Sequence, residues 1–587
     1  MKKILAKDFG LVPNVRRDST KLLARLLEQF REDTIFELEH GEYHFYASEA
    51  MEKEYILSNT GEQGIKYCSI VLENMKNIVI EGQGAELIFH GKLQPLSIDN
   101  CSDITVHNID IDWEIPLTAE GVVVDCKENY VDLRIDTRQF PYYIKENKLV
   151  FIGEDWESEL WKSGHIEFDS DYKQVGFLSG DTFPETKQEE LSPGVIRFHG
   201  DFKKTYQNNN IIVLRHGSRK HAGIFAQESY NLRFENIAIH CTGGLGILAQ
   251  FCENIDFKEI VFEPSKKRNR KISSGHDDGI HLSNNSGLVV VEKSVFHGLM
   301  DDPINIHGTS VVIEEKVDSK TLRCRFGSKE SSGFKHWAKK GQEISFLQSQ
   351  TLHSIGRGVV VSYQLLEKES FIICFEEDFP EEIRAGDSLE NLTNTAEFIC
   401  RNNYFGSGRA RGLLVSTPKP VLIENNIFES SGTAILIAGD ANFWYESGAC
   451  HDVMIKNNLF NSVCLSSNYM SCEGIISICP EILEADKEKP FHSNIYIEGN
   501  VFTPFDYPVL YAKSTKGLWF NNNRILRSYI FEPWHLRRHM LTFEYCSDVN
   551  ISGNVMVGNV LGKDVNIQGM VQADVQLDPL QGIYFSD

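Results

Sequence analysis

The sequence has no apolar run approaching the ~18 residues of a membrane-spanning helix, so no membrane span is expected. It has no Cys-x-x-Cys pair and no Cys/His cluster at zinc spacing. Its 13 cysteines are odd in number and scattered, so neither a zinc module nor a disulfide framework organises the chain. The chain opens Met1-Lys2-Lys3-Ile4-Leu5 without the apolar segment of a signal peptide behind it. On the sequence as given a cytoplasmic protein is expected, or a periplasmic or secreted one if an upstream signal has been removed. Positive charge is scarce as well. Lys and Arg total 59 against 83 Asp and Glu, a net charge of -24, which excludes the basic surface that nucleic acid requires. It also disfavours a polyanionic sugar such as pectate. The one basic run, Lys266-Lys267-Arg268-Asn269-Arg270-Lys271, reads as a solvated loop.

What remains is a chain of 587 residues, 41% apolar, enough for an extensive core. Asp18-Ser19-Thr20 can cap a helix carrying Leu22, Leu23, Leu26, Leu27 and Phe30, an amphipathic cover for the open end of a solenoid. A repeat follows. Asn231-Leu232-Arg233-Phe234-Glu235-Asn236-Ile237 returns 23 residues on as Asn254-Ile255-Asp256-Phe257-Lys258-Glu259-Ile260, and Cys400-Arg401-Asn402-Asn403-Tyr404-Phe405 returns at the same interval as Ile423-Glu424-Asn425-Asn426-Ile427-Phe428. Short alternating strands with Asn at a fixed phase predict coils of a right-handed parallel β-helix. Asn tolerates a left-handed turn and can ladder with the Asn of the next coil. A second column runs Ile224, Ile247, Ile280, Ile304, Leu413, Ile435 on the inward phase.

Two segments break the period and read as small β-domains inserted into coil loops. The expected organisation is all-β: residues 1–113 as cap and first coils, 114–208 as an inserted β-domain, and 209–308 as coils. Residues 309–395 form a second, barrel-like insertion and 396–587 the C-terminal coils. A flat solenoid flank suits a homodimer.

Just ahead of the inward column stand Asp277-Asp278-Gly279-Ile280-His281-Leu282 and, 24 residues later, Asp301-Asp302-Pro303-Ile304-Asn305-Ile306. Coils stack at about 4.8 Å, which sets Asp278 beside Asp302 and Asp277 beside Asp301, with Arg411 next in the column. Carboxylates this close repel unless one holds a proton. One protonated and one ionised carboxyl is what glycoside hydrolysis uses.

On Gly275-His276-Asp277-Asp278-Gly279-Ile280-His281, Asp301-Asp302-Pro303-Ile304-Asn305-Ile306-His307-Gly308 and Phe443-Trp444-Tyr445-Glu446-Ser447, the chain resembles glycoside hydrolase family 110. These are bacterial α-1,3-galactosidases that remove terminal galactose from blood group B-type glycans. The resemblance implies an exo-acting, inverting hydrolase of terminal α-galactosyl oligosaccharides, with no metal and no cofactor in the chemistry. It implies Asp301 as general acid and Asp278 with Asp302 as the groups that hold and activate water. Asp277 has no role in this carry-over; a supporting hydrogen bond or a turn function is expected of it.

His281, Asn305 and His307 lie on the outward phase, either to bind sugar hydroxyls or as polar residues of an outer face. Arg411 either orients Asp302, holds a sugar oxygen, or makes a structural ion pair. Glu473, at the acid phase of a later coil, is a candidate sugar ligand. Trp444 could stack on galactose with Glu446 taking its hydroxyls, or pack as a loop aromatic. The competing readings are a polygalacturonase-like or lyase-type β-helix enzyme and a non-catalytic carbohydrate-binding solenoid. The first is disfavoured because only Arg409 and Arg411 lie near the acids, the second because it does not call for acids in register.

Overall fold

The computed structural model describes residues 1–587 apart from 182, 203–205, 471, 580, 581 and 587. Two long parallel sheets, of 22 and 15 strands among the described residues, run the length of a β-helix. The inward column holds as expected: Ile224 pairs with Ile247, Ile247 with Ile280, Ile280 with Ile304, Ile304 with Leu413 and Leu413 with Ile435. It then continues through Ile476, Leu510, Leu541 and Val565. These residues are essentially inaccessible, so each coil contributes one branched side chain to a continuous core.

Consecutive Asn residues at the bends divide the work the sequence assigned to one. The first of each pair takes the left-handed turn: Asn402, Asn425, Asn457 and Asn522 have φ of 58°, 56°, 56° and 57°, and Gly499 and Gly553 fill the same place at 65° and 66°. The second turns inward. Nδ2 of Asn403, Asn426, Asn458, Asn500 and Asn523 donates to Oδ1 of the next Asn in the column at 3.1, 3.0, 3.0, 3.1 and 3.1 Å. Beside them Phe262, Phe296, Phe405, Phe428, Phe460 and Phe502 stack with near-parallel rings, 4.6–5.7 Å between centroids.

The helix Thr20–Gln29 buries Leu23, Leu26 and Leu27 over the first coils. Its start is held by Asp18, whose carboxylate accepts from the Thr20 backbone N–H and hydroxyl; Ser19 occupies the cap position without a side-chain bond. The first insertion is a six-stranded antiparallel sheet with a three-stranded one beside it. It reaches past residue 208, because Ile211–Arg215 pairs antiparallel with Thr118–Lys127. A gap in the repeat does not reveal which sheet the returning strand joins. The second insertion is a closed six-stranded barrel from Val311–Lys316 to Ser388–Asn391, with its own core around Trp337, Phe346 and Phe371. The 13 cysteines are all free. Among the described residues no helix is long and apolar enough to cross a membrane.

Candidate active site

The pairing of Ile280 with Ile304 and of Ile304 with Leu413 carries back two residues to align Asp278, Asp302 and Arg411. The backbone confirms this: Gly279 N–H donates to the Asp302 carbonyl at 3.0 Å. The lengthy detour through the barrel thus returns Arg411 onto Asp302, with Nε to Oδ1 at 3.0 Å and Nη2 to Oδ2 at 2.7 Å, the two-pronged geometry of a guanidinium on a carboxylate.

Asp301 is met by Arg409 Nη2 at 3.1 Å and Arg219 Nη2 at 3.7 Å. Arg409 also grips both oxygens of Asp181 at 2.8 Å, tying the first insertion to the site. Asp277 is wholly buried. It receives Arg215 at 2.5 Å, Arg219 Nε at 3.3 Å and His276 Nδ1 at 2.8 Å. It is an anchor, fixing Arg219 where that side chain can also reach Asp301. Tyr469 lies under both Arg409 and Arg411, 5.2 and 5.8 Å from its ring centroid.

Among the described residues, no arginine lies at ion-pair distance from Asp278. Its Oδ2 contacts His281 Nδ1 at 2.7 Å, His281 Nε2 contacts His307 Nε2 at 2.9 Å, and His307 Nδ1 contacts the Gly308 carbonyl at 2.6 Å. Glu446 faces this chain from a short strand, Glu446–Ser447, that pairs antiparallel with Gly308 and Thr309. It lies 3.7 Å from His307 Nε2, takes Nδ2 of Asn59 at 2.7 Å, and receives Asn305 Nδ2 at 3.3 Å. The loop before it is wound around Asp440, whose carboxylate accepts the N–H groups of Asn442, Phe443, Trp444 and Tyr445.

Charge follows contact. Burial, then repulsion from Asp301 and Asp302, pushes Asp278 well above the usual carboxylate range. Burial also raises Asp302, with Arg411 opposing it. Burial would raise Asp301 too, but Arg409, Arg219 and Arg215 overcome it and hold Asp301 low. Burial lowers His281 to about 4 and lowers His307 as well, so both rings are neutral at pH 7. Of the three carboxyls, Asp301 is the one that its arginines favour as a carboxylate, and Asp278 the one whose surroundings favour a proton.

The structure brings Asp278, Asp301, Asp302, His281, Asn305, His307, Arg411 and Glu446 together. His281, Asn305 and His307 do lie on the outward phase, yet they are buried, because the Glu446 strand and the Asn59 loop cover that face. Trp444 is half-exposed on the loop leading to Glu446, its ring edge-on to Phe443. Glu473 lies apart from this group. Register places it on the acid phase, but three coils beyond Asp301, about 14 Å at the strand spacing, and it is paired with Arg537. A phase in a solenoid fixes direction around the axis and leaves distance along it free.

Asn59, Arg215, Arg219, Asp181 and Tyr469 were missed, since none lies in a repeat column. Arg215 and Arg219 had one faint signal, two cations at the exit of the first insertion. His281, His307 and Glu446 offer three potential metal-ligand atoms within 4.8 Å, but the two histidine Nε2 atoms at 2.9 Å already bond each other.

Residues 119–212 match the model described as GLAA-B beta-barrel domain I, and residues 321–389 match GLAA-B beta-barrel domain II. The chain is 41% identical to Alpha-1,3-galactosidase B of Bacteroides thetaiotaomicron over 98% of its own length and 94% of that protein's. It is 33% identical to Alpha-1,3-galactosidase B of Akkermansia muciniphila, covering 94% of this chain and 69% of the relative. It is 32% identical to Alpha-1,3-galactosidase A of Bacteroides fragilis, covering 98% and 95%.

Proposed function

The chain belongs to the α-1,3-galactosidase family of glycoside hydrolases, and from that premise we propose that it removes terminal α-1,3-linked galactose from blood group B-type or linear galactosyl glycans with inversion at the anomeric carbon. The observation that carries this reading is the coupled triad Asp278, Asp301 and Asp302, three carboxyls on two adjacent coils with unequal access to cations. Asp301 delivers the proton to the departing glycosidic oxygen, and Asp278 with Asp302 holds the attacking water on the opposite side of the sugar. Arg411 orients Asp302. Glu446 and Asn305 bind galactose hydroxyls, and Trp444 offers an apolar ring face at the loop ahead of them.

These roles ask for a protonated Asp301 and ionised Asp278 and Asp302. Substrate supplies the bias. A glycosidic oxygen against Asp301 accepts a hydrogen bond only if that carboxyl carries the proton, and a water between Asp278 and Asp302 donates its hydrogens more strongly to ionised oxygens than to neutral carboxyls. Charge-assisted hydrogen bonds contribute about 1.5–3 kcal/mol each.

The test is galactose release from p-nitrophenyl α-galactoside and from the B-type trisaccharide, with the first-formed anomer read by proton NMR. Initial appearance of β-galactose supports the proposal. Initial α-galactose would exclude inversion, and no release by folded protein would exclude the activity.

A further inference from the structure

The contacts running from Asp278 through His281 to His307 have a direction that can be read from their far end. The Gly308 carbonyl only accepts, so His307 Nδ1 must carry a hydrogen. A neutral His307 then offers Nε2 as an acceptor, so the hydrogen in the 2.9 Å contact belongs to His281 Nε2. A neutral His281 in turn offers Nδ1 as an acceptor, and the 2.7 Å contact is satisfied only if Asp278 donates. With both rings neutral, the geometry thus writes Asp278 as a carboxylic acid.

The same three contacts also fit two arrangements with an ionised Asp278, one with the proton resting on His281 as an imidazolium and one with it carried a ring further. If the Asp278 proton passes to His281 Nδ1 and the His281 Nε2 hydrogen passes to His307 Nε2, Asp278 becomes a carboxylate and His307 an imidazolium. No proton is gained or lost, the two contacts between side chains reverse their direction, and His307 Nδ1 still donates to the Gly308 carbonyl. The new cation lies 3.7 Å from Glu446, which is itself held by Asn59 and Asn305. The other charges facing the chain are Asp301, Asp302, Asp277 and Arg219. The wire ends at a backbone carbonyl, so a proton on His307 has no further protein acceptor along it.

We infer that His281 and His307 form a closed proton wire that parks the Asp278 proton on His307 when Asp278 must act as a base, with Glu446 as counter-charge. The inference rests on the assignment of Asp278 to the water side of the reaction. Both histidines are positioning residues here rather than sugar ligands. In a turnover, Asp301 takes up one proton from solvent as substrate binds and gives it to the departing oxygen. Asp278, unloaded along the wire, accepts a proton from the attacking water and so regains its acid form. His307 then releases its parked proton to solvent, which balances the one taken up at Asp301.

The test uses the full chain and His307→Gln. A glutamine at 307 can accept from His281 Nε2 and donate to the Gly308 carbonyl, which keeps the hydrogen bonds and locks them in the resting direction. The expected result is a fall in kcat of about 10-fold at neutral pH and an upward move of the acidic limb of the kcat profile by about one pH unit. KM and the inhibition constant of galactose should stay within about two-fold of wild type. A raised KM and weakened galactose inhibition with an unmoved pH profile would make His307 a sugar ligand and overturn the wire.

A second measurement needs neither variant nor turnover. In histidine-selective nitrogen-15 NMR of the free enzyme at pH 7, His281 should be protonated at Nε2 and His307 at Nδ1. The opposite tautomer of His281, or an imidazolium at His307, would overturn the resting direction. This readout stands even if galactosidase activity were absent, so the two proposals fail separately.

Discussion

Two columns of this solenoid stack polar side chains at one coil spacing. In the amide column, from Asn403 to Asn554, every side chain both donates and accepts, so each coil satisfies the next and the ladder extends indefinitely. In the acid column, Asp278 and Asp302 have only acceptors when ionised. Two coils suffice to create a deficit of protons and cations, which Arg411, Arg409 and Arg219 meet on one side and the histidine pair on the other. A self-complementary group makes structure when repeated. A group that cannot bond its own copy makes a reactive site.

The contrast can be broken most severely at Asp301. Asp301→Asn should lower turnover by about 10³-fold, within the range for a lost general acid. Thermal unfolding should barely move, because Arg409 keeps Asp181 and Arg219 keeps Asp277; a large drop in Tm would make Asp301 a structural ion-pair partner. Putting an acid into the amide column tests the other half. Asn458→Asp removes a donor and buries a charge with no cation built for it, and should cost about 3 kcal/mol in denaturant unfolding while leaving kcat unchanged.

A subtler disturbance is Gly327→Ala on the barrel. A Cβ there would lie 2.2 Å from the ring of Tyr445, the residue whose left-handed backbone, φ 60°, leads into Glu446. Displacing that strand should cut kcat/KM about 10-fold, chiefly through KM, as steady-state kinetics would show.

Asp278→Asn should abolish most activity yet raise stability by roughly 1 kcal/mol, and the gain has a sign in pH. With its pKa raised in the fold, wild-type Asp278 contributes fully only below the unfolded value near 4, and that contribution is lost as pH rises. The variant's advantage in Tm should therefore grow from pH 4 to pH 7; an advantage independent of pH would contradict a protonated Asp278. Smallest of all, Glu473→Gln should leave KM within about two-fold, since its partner is Arg537.

The coils were legible because a core position repeated on every turn leaves the same mark on each, as in the run from Ile224 to Ile435. The triad was legible because two of its members share that register. What stayed hidden came from outside the repeat. Asn59 precedes Glu446 by 387 residues, and Arg215 sits 62 before Asp277, so only the folded chain could pair them. The protonation state was hidden for another reason: sequence gives the number of acids, while their proton sharing depends on which of them an arginine touches. For Glu473 the repeat gave the angle around the solenoid, while its distance along the axis and its Arg537 partner came from the fold.

The separation of 109 positions from Asp302 to Arg411 also has a duration. At about 5–20 residues per second, the acid coils emerge from the ribosome roughly five to twenty seconds before the guanidinium that will neutralise them, with the whole barrel made in between. Over that interval the carboxyls have no partner from later coils and stay hydrated. Activity during synthesis should thus appear in a single late step, once Arg411 and the Glu446 strand have been made, so that a ribosome-stalled chain ending before residue 446 would be folded in part and silent as an enzyme.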